Sequence, residues 1–256
     1  MSIKQKFPRL VLFYVVSVRG ISGAERSNYM QGQGVSYNVD IVMCIDVTGS
    51  MGGLLETVKS NALKFYPDLK ACCEAKDRVV DEVRIRVIAF RDFNADRDLA
   101  IQDTGFFNIP AQEGDFKSFV SDLVPAGGGD EPENGLEALA MAMNSDWTKG
   151  GSRRRHIIVV WSDASTHPLE ASLTKNEFYP SDMPKNFDEL TDWWEDERSG
   201  KMDKLAKRLI VFAPDASAWN EIGTNWTNAI HHTAKAGTGL SECDYGTILT
   251  AISNSI

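Results

Sequence analysis

Cysteine is scarce in this chain: Cys44, Cys72, Cys73 and Cys243 are the whole set, and no two form a C-x-x-C pair. That spacing excludes a zinc ribbon and a thioredoxin-type redox centre, and reads as idle thiols in a reducing compartment. Internal repeats and low-complexity tracts are absent, so repeat architectures are excluded too. Basic charge is in deficit, with 27 Lys and Arg against 36 Asp and Glu, a net charge of −9. An acidic surface repels phosphate backbones and anionic lipid, which argues against nucleic-acid and membrane partners and favours cations and basic protein patches. No nucleophilic triad, phosphate-cradling loop or dinucleotide fingerprint is present. Gly127-Gly128-Gly129 does not follow a strand in G-x-G-x-x-G form.

What is present suits one large α/β domain: 256 residues, 43% hydrophobic and 9% aromatic, enough apolar material for a core. We divide the chain into an N-terminal arm, 1–36, and a domain, 37–256. In the arm, Lys4, Lys6 and Arg9 precede the apolar run Leu10–Val16, a pattern similar to a signal peptide, although Arg19 follows closely. The run is too short to span a bilayer. The expectation is a cytoplasmic protein, whose arm packs on the domain or lies upstream of a start at Met30. Export is the alternative, if residues 1–24 act as a signal.

Strand and helix patterns alternate beyond the arm. Val39–Ile45 and Ile157–Trp161 are continuous apolar runs, as expected of strands buried on both faces; Val83–Phe90 and Leu209–Ala213 add two more, and Ala229–Thr233 a last one. Leu99–Ile109 reads as a short antiparallel edge piece broken by Gly105. Helical spacing begins near Gly53, with Leu54, Val58, Ala62, Phe65 and Leu69 on one side and Pro67 expected to kink or shorten the helix. It recurs at Phe116–Leu123, Asn134–Met143, Phe187–Arg198 (after an insertion, His167–Pro184) and Tyr245–Ile252. The expected fold is a doubly wound α/β domain: a mostly parallel central sheet, helices on both faces and one short antiparallel edge strand. In such sheets ligands bind beyond the carboxyl ends of the strands.

Three loops lie there. Asp46-Val47-Thr48-Gly49-Ser50 follows the first strand, and its alternation aims three oxygen side chains at one point if the turn is extended. Hard cations such as Mg²⁺ take oxygen ligands at about 2.0–2.1 Å in an octahedron. The second loop is Gly127-Gly128-Gly129-Asp130-Glu131-Pro132-Glu133, and the third is Ser162-Asp163-Ala164, directly after a buried strand.

Together, Asp46-x-Thr48-x-Ser50, the Gly-Gly-Gly-Asp-x-Pro-Glu loop and Asp163 resemble the metal-ion-dependent adhesion site of von Willebrand factor type A domains. The resemblance runs from about Val39 to Ile252. Many members carry a Thr in the second loop, six residues before a leucine. Six residues before Leu139 stands Glu133, so this loop is similar to the Asp-x-Pro-Glu variant of integrin β-subunits. The resemblance implies that Asp46, Thr48, Ser50, Glu133 and Asp163 hold one Mg²⁺ (or Mn²⁺ or Ca²⁺) directly or through water. One coordination position is left for a carboxylate of a protein partner. By analogy that partner is an ATPase, a kinase or another assembly factor, and the chain itself is not an enzyme. Asp130 either joins this ion or serves a second cation beside it.

Blander readings stand beside these. Asp46, Thr48 and Ser50 also suit a turn and helix N-cap, Glu133 a first-turn acid favoured by the helix dipole, Asp163 a turn and Asp130 a solvated loop. Arg153-Arg154-Arg155 is the one basic run and reads as a solvated strand entry. His231-His232 point to opposite faces of a strand, His167 is a loop residue near the site, and of Trp193-Trp194 one packs inward. Two rival functions remain: a structural or assembly subunit with an unused metal site, and a Mg²⁺-dependent phosphatase with Asp46 as nucleophile. Against the latter, Val47 and Thr48 stand where those enzymes carry Lys or a second Asp.

Overall fold

The computed structural model describes residues 35–127, 131–151, 153–171, 175–196 and 200–256. The arm with Leu10–Val16 and Met30, together with Gly128, Gly129 and Asp130, lies outside the described residues. A compact unit spans Val35–Ile256.

β1 (Val35–Asp46) is the axis of the sheet. It pairs in parallel with β2 (Arg78–Phe90) on one side and β5 (Arg154–Trp161) on the other. β6 (Lys207–Pro214) and β7 (Ala229–Ala234) extend the parallel run. β3 (Ile101–Asp103) and β4 (Phe107–Ile109) both run antiparallel to β2, at Ile88–Phe90 and Val83–Ile85 respectively. The order is β3-β2-β1-β5-β6-β7, with β4 beside β2. The expected antiparallel edge piece is therefore present, interrupted around Gly105.

Helices cover both faces, which is why β1 is apolar at consecutive positions. Val39, Ile41, Met43 and Ile45 pack beneath α1 (Gly52–Glu74), α3 (Glu113–Asp122) and α7 (Tyr245–Ser255). Val42 and Cys44 face α4 (Gly135–Met143), α5 (Phe187–Glu195) and α6 (Ser217–Asn225). A single turn, α2 (Phe93–Asp96), follows β2. Each buried Leu, Ile or Phe in these layers stabilises the fold by roughly 1.5–3 kcal/mol.

One expectation about helices needs correction, and one helix was not expected. Pro67 does not shorten α1, which runs through it to Glu74. Pro67 forfeits one backbone donor, but Phe65, Leu69 and Cys73 around it are all buried, and their packing holds the helix together. The helix α6 was not among the elements read from the sequence; it forms on two anchors three residues apart, Trp219 and Ile222, both fully buried. Elsewhere the minor readings agree with the structure. His231 bonds the Ala213 carbonyl while His232 stacks on Phe212 at 4.8 Å, and Trp194 is buried while Trp193 is half-exposed. All four cysteines are unpaired thiols, and burial raises that of Cys44 far above its ordinary range.

Candidate metal centre

The carboxyl ends of β1 and β5 bring two of the three loops into contact. Asp46, the last residue of β1, is fully buried. Its Oδ1 accepts from the Thr48 amide at 2.9 Å and from Thr48 Oγ1 at 2.6 Å. Its Oδ2 accepts from Ser162 Oγ at 2.7 Å. Burial nevertheless pushes the Asp46 carboxyl up to about 6, against the opposing pull of those bonds. Beyond Thr48 the chain tightens into a 3₁₀ turn, Gly49–Met51, rather than the extended turn the alternation suggested. Ser50 still reaches the site: its Oγ donates to Asp163 Oδ1 at 2.8 Å across 113 residues of sequence.

Asp163 is held from the far side by a loop that the sequence analysis did not single out. After β7, the Gly239 amide donates to Asp163 Oδ2 at 2.6 Å and the Gly237 amide to its carbonyl at 2.8 Å. Gly239 has φ +60°, and a side chain there would place Cβ 2.3 Å from the Ser50 carbonyl oxygen. Only glycine fits this approach. The Gly237-Thr238-Gly239 spacing between the last strand and the last helix was the signal available for it.

Glu133 comes in by backbone pairing. Its amide donates to the Ser165 carbonyl at 3.0 Å, and its carbonyl accepts from the His167 amide at 2.9 Å. This makes a parallel bridge between Glu133 and Thr166. The side chain is 3% exposed, and Oε2 is enclosed without any hydrogen-bond partner. Burial, followed by the charges of Asp46, Asp92, Asp96 and Asp163, pushes its carboxyl up to about 9. Glu133 lies two residues before α4, whose N-cap residue, Asn134, makes no side-chain capping bond.

Two further residues frame the site. Arg91, nearly buried, donates from Nε to the Val47 carbonyl (3.3 Å), from one terminal nitrogen to Leu99 (2.9 Å) and from the other to Val124 (2.9 Å). It therefore ties the Asp46 loop to two neighbouring segments, a role for which its place just past a strand gave no hint. Asp92 caps α2 through the Asn94 and Ala95 amides and lies 3.4 Å from His167 Nε2. His167 is thus a nearly buried rim residue.

Hydrogen bonds join Thr48 to Asp46 and Ser50 to Asp163, and Ser162, the chain neighbour of Asp163, links the two pairs through its bond to Asp46. Glu133 joins them through proximity of charge, and Asp130 lies outside the described residues. Among the described residues no three His, Cys, Asp or Glu side chains form a metal cage. The donors are instead a mixed set of carboxylates and hydroxyls, in part bonded to one another. All of them are hard oxygen donors, which suits a divalent cation such as Mg²⁺. The enclosed, partnerless Glu133 Oε2 beside other acids is the kind of buried polar atom that an ion satisfies.

No family model matches the chain. Over 157 residues it is 27% identical to the alpha-protein kinase vwkA of Dictyostelium discoideum, a stretch covering 60% of this chain and 23% of the kinase. Among solved structures, two forms of the pilus adhesin SpaC from Lactobacillus rhamnosus GG superpose with TM-scores of 0.50 and 0.49 at 10% and 11% identity, each covering 85% of this chain and 30% of the adhesin. Proximal thread matrix protein 1 from the mussel byssus gives 0.41 at 13% identity, covering 86% of this chain and 48% of that one. The chain thus spans under a quarter of the kinase and under a third of the adhesin. The adhesin likeness shows a shared fold.

Proposed function

We propose that this chain is a protein-interaction module of the von Willebrand factor type A kind. In this reading Asp46, Thr48, Ser50, Glu133 and Asp163 hold one divalent cation, magnesium first and manganese or calcium as substitutes, and a partner protein docks an acidic side chain there. The observation that carries the reading is Glu133 Oε2, enclosed and unpartnered beside Asp46 and Asp163. Three acids gathered in a buried place repel one another, and a bound cation would supply the missing positive charge and a directional contact for an incoming carboxylate. Thr48 and Ser162 orient Asp46, while Gly239 and Ser50 orient Asp163, so the donor set is fixed before any ion arrives. Ser50 is exposed, which puts the open side of the site at its hydroxyl.

The similarity to part of a kinase supports a role in bringing a protein client to a larger assembly, with a kinase, ATPase or other assembly factor as the partner class. Among the described residues no helix is long and apolar enough to cross a membrane, which fits a protein partner rather than a bilayer. A second reading has a specific observation of its own. Ser50–Asp163 and Thr48–Asp46 already satisfy one another, as in a structural subunit that uses no metal. The phosphatase reading is weaker, because Asp46 is buried with both oxygens engaged and is poorly placed to attack phosphorus. Affinity capture from the native cell, with Mg²⁺ and with chelator, tests the choice. Partners that are lost on chelation and lost with Asp46→Ala support docking through metal, whereas capture indifferent to both supports the structural subunit.

A further inference from the structure

The opposite pole of the sheet carries a second feature, unrelated to the proposed metal site. The amino ends of four neighbouring strands each place an aromatic or basic residue on the α1/α7 face. Register puts Arg78 of β2 opposite Val35 of β1, Arg155 of β5 opposite Val39, and Arg208 of β6 opposite Ile157 of β5. Tyr37 of β1 lies between them, with the Arg155 guanidinium 4.8 Å and the Arg153 guanidinium 5.9 Å from its ring centre. Arg153-Arg154-Arg155, a solvated strand entry by sequence, is therefore part of a longer basic row, except for Arg154, which pairs with Asp203.

The four guanidiniums are fixed, but not neutralised. Arg78 donates to the Ser253 carbonyl (3.0 Å) and Arg155 Nε to the Ile256 main-chain oxygen (2.9 Å), at the end of α7. Arg208 donates to the Leu205 and Lys207 carbonyls at 3.2 and 2.6 Å, and Arg153 to the Tyr37 hydroxyl at 3.5 Å. Lys76 adds a fifth cation, bonded to Ser253 Oγ and Asn254 Oδ1. A helix C-terminus supplies only about half a negative charge, and a full carboxylate at Ile256 would add one more, against five cations. Among the described residues no carboxylate forms an ion pair with any of the five. The mutual repulsion registers at Arg155, whose affinity for its proton is lowered first by burial and then by Arg208, Arg78 and Arg153. In a chain of net charge −9, such a concentration of unpaired guanidiniums is out of character.

We infer that the exposed and half-exposed row Arg78–Arg153–Arg155–Arg208, backed by the buried ring of Tyr37, is a docking surface for an extended acidic segment of a partner protein. Shape decides between anions. Projected on β1, Arg78, Tyr37, Arg155 and Arg208 stand at levels two residues apart, so their backbone positions run diagonally, about 14 Å across the strands and about 20 Å along them. One phosphate group is much shorter than that diagonal, whereas an extended peptide of about six or seven residues at ~3.3 Å each follows it. Guanidinium forks match carboxylates in pairs, and the Tyr37 ring holds two of the forks in place.

The test is fluorescence anisotropy of a labelled hexaglutamate peptide with the full chain, stripped of metal so that Asp46 and its neighbours cannot capture the probe. We expect binding that weakens with salt and falls at least tenfold in an Arg153→Gln/Arg208→Gln variant. A charge-matched control, Lys64→Gln/Lys117→Gln, alters two exposed lysines elsewhere and should leave binding within about twofold of the parent. Urea midpoints of both variants establish that they are folded. Absence of peptide binding overturns the inference. So does equal weakening by the control, or displacement by inorganic phosphate at the peptide's own concentration. Capture by phosphatidylserine vesicles without capture of the peptide assigns the surface to lipid and overturns it as well.

Discussion

Ser50 Oγ donates a 2.8 Å hydrogen bond to Asp163 Oδ1, joining the loop after the first strand to the loop after the fifth. In the proposed site this contact is where the metal-free state stores two ligands. Its removal separates architecture from binding. Ser50 is exposed, so Ser50→Ala should lower stability by no more than about 1 kcal/mol, the usual worth of one hydrogen bond. The same change should weaken Mg²⁺ binding at least tenfold. Denaturant midpoints beside a metal titration give the two numbers.

Glu133 sets a pH dependence whose sign is fixed. Its carboxyl is raised from the ordinary 4.5 to about 9 in the folded protein. The folded state therefore holds this proton more tightly than the unfolded one, and the stability contributed is present at low pH and lost as pH rises through about 9. Asp46, raised to about 6, acts in the same direction over a lower window. The melting temperature of the chelator-treated protein should fall between pH 6 and pH 9. Glu133→Gln should flatten that fall, as calorimetric scans across the range will show.

Gly239 and Gly237 form a matched pair for mutation. Both have positive φ, but a Cβ at Gly239 meets the Ser50 carbonyl at 2.3 Å, while at Gly237 nothing lies within 4 Å. Gly237→Ala should cost about 1 kcal/mol from backbone strain alone. Gly239→Ala should cost about 2–3 kcal/mol and also weaken Mg²⁺ binding, because the loop must retreat from Asp163. Equal effects of the two substitutions would contradict the packing described.

Arg91 should behave as a brace. Arg91→Met removes the side-chain donor from the Leu99 and Val124 carbonyls and leaves that of Val47 with the Ala126 amide alone, at a cost of about 2–4 kcal/mol. Arg91→Lys restores charge but not the three-way geometry, and should recover less than half of the loss in urea denaturation.

The parts of this molecule that are local in sequence were the legible ones. Val39–Ile45 and Ile157–Trp161 announce strands because both of their faces are covered, and Asp46 and Asp163 are marked by following such runs directly. Gly105 marks the break between the two short edge strands. What escaped depends on distance or on packing. Pro67 looks like a stop until the buried side chains on either side of it are seen, and the helix at 217–225, which the sequence reading passed over, is anchored where Trp219 reaches the Ala164 carbonyl at 3.2 Å. The Gly239 contact with Asp163 and the three bonds of Arg91 join segments with no local pattern in common. The arginine row is invisible for the same reason. Only strand register brings Arg78 and Arg208 beside Arg155.

The central claim is that a cation completes the cluster around Glu133, and calorimetry on the chelator-stripped chain tests it most directly. Titration with Mg²⁺, then Mn²⁺, should give saturable heat at one ion per chain, with protons released as the ligands ionise, and none in Asp46→Ala. A flat titration with both ions, from protein shown to be folded, contradicts the account.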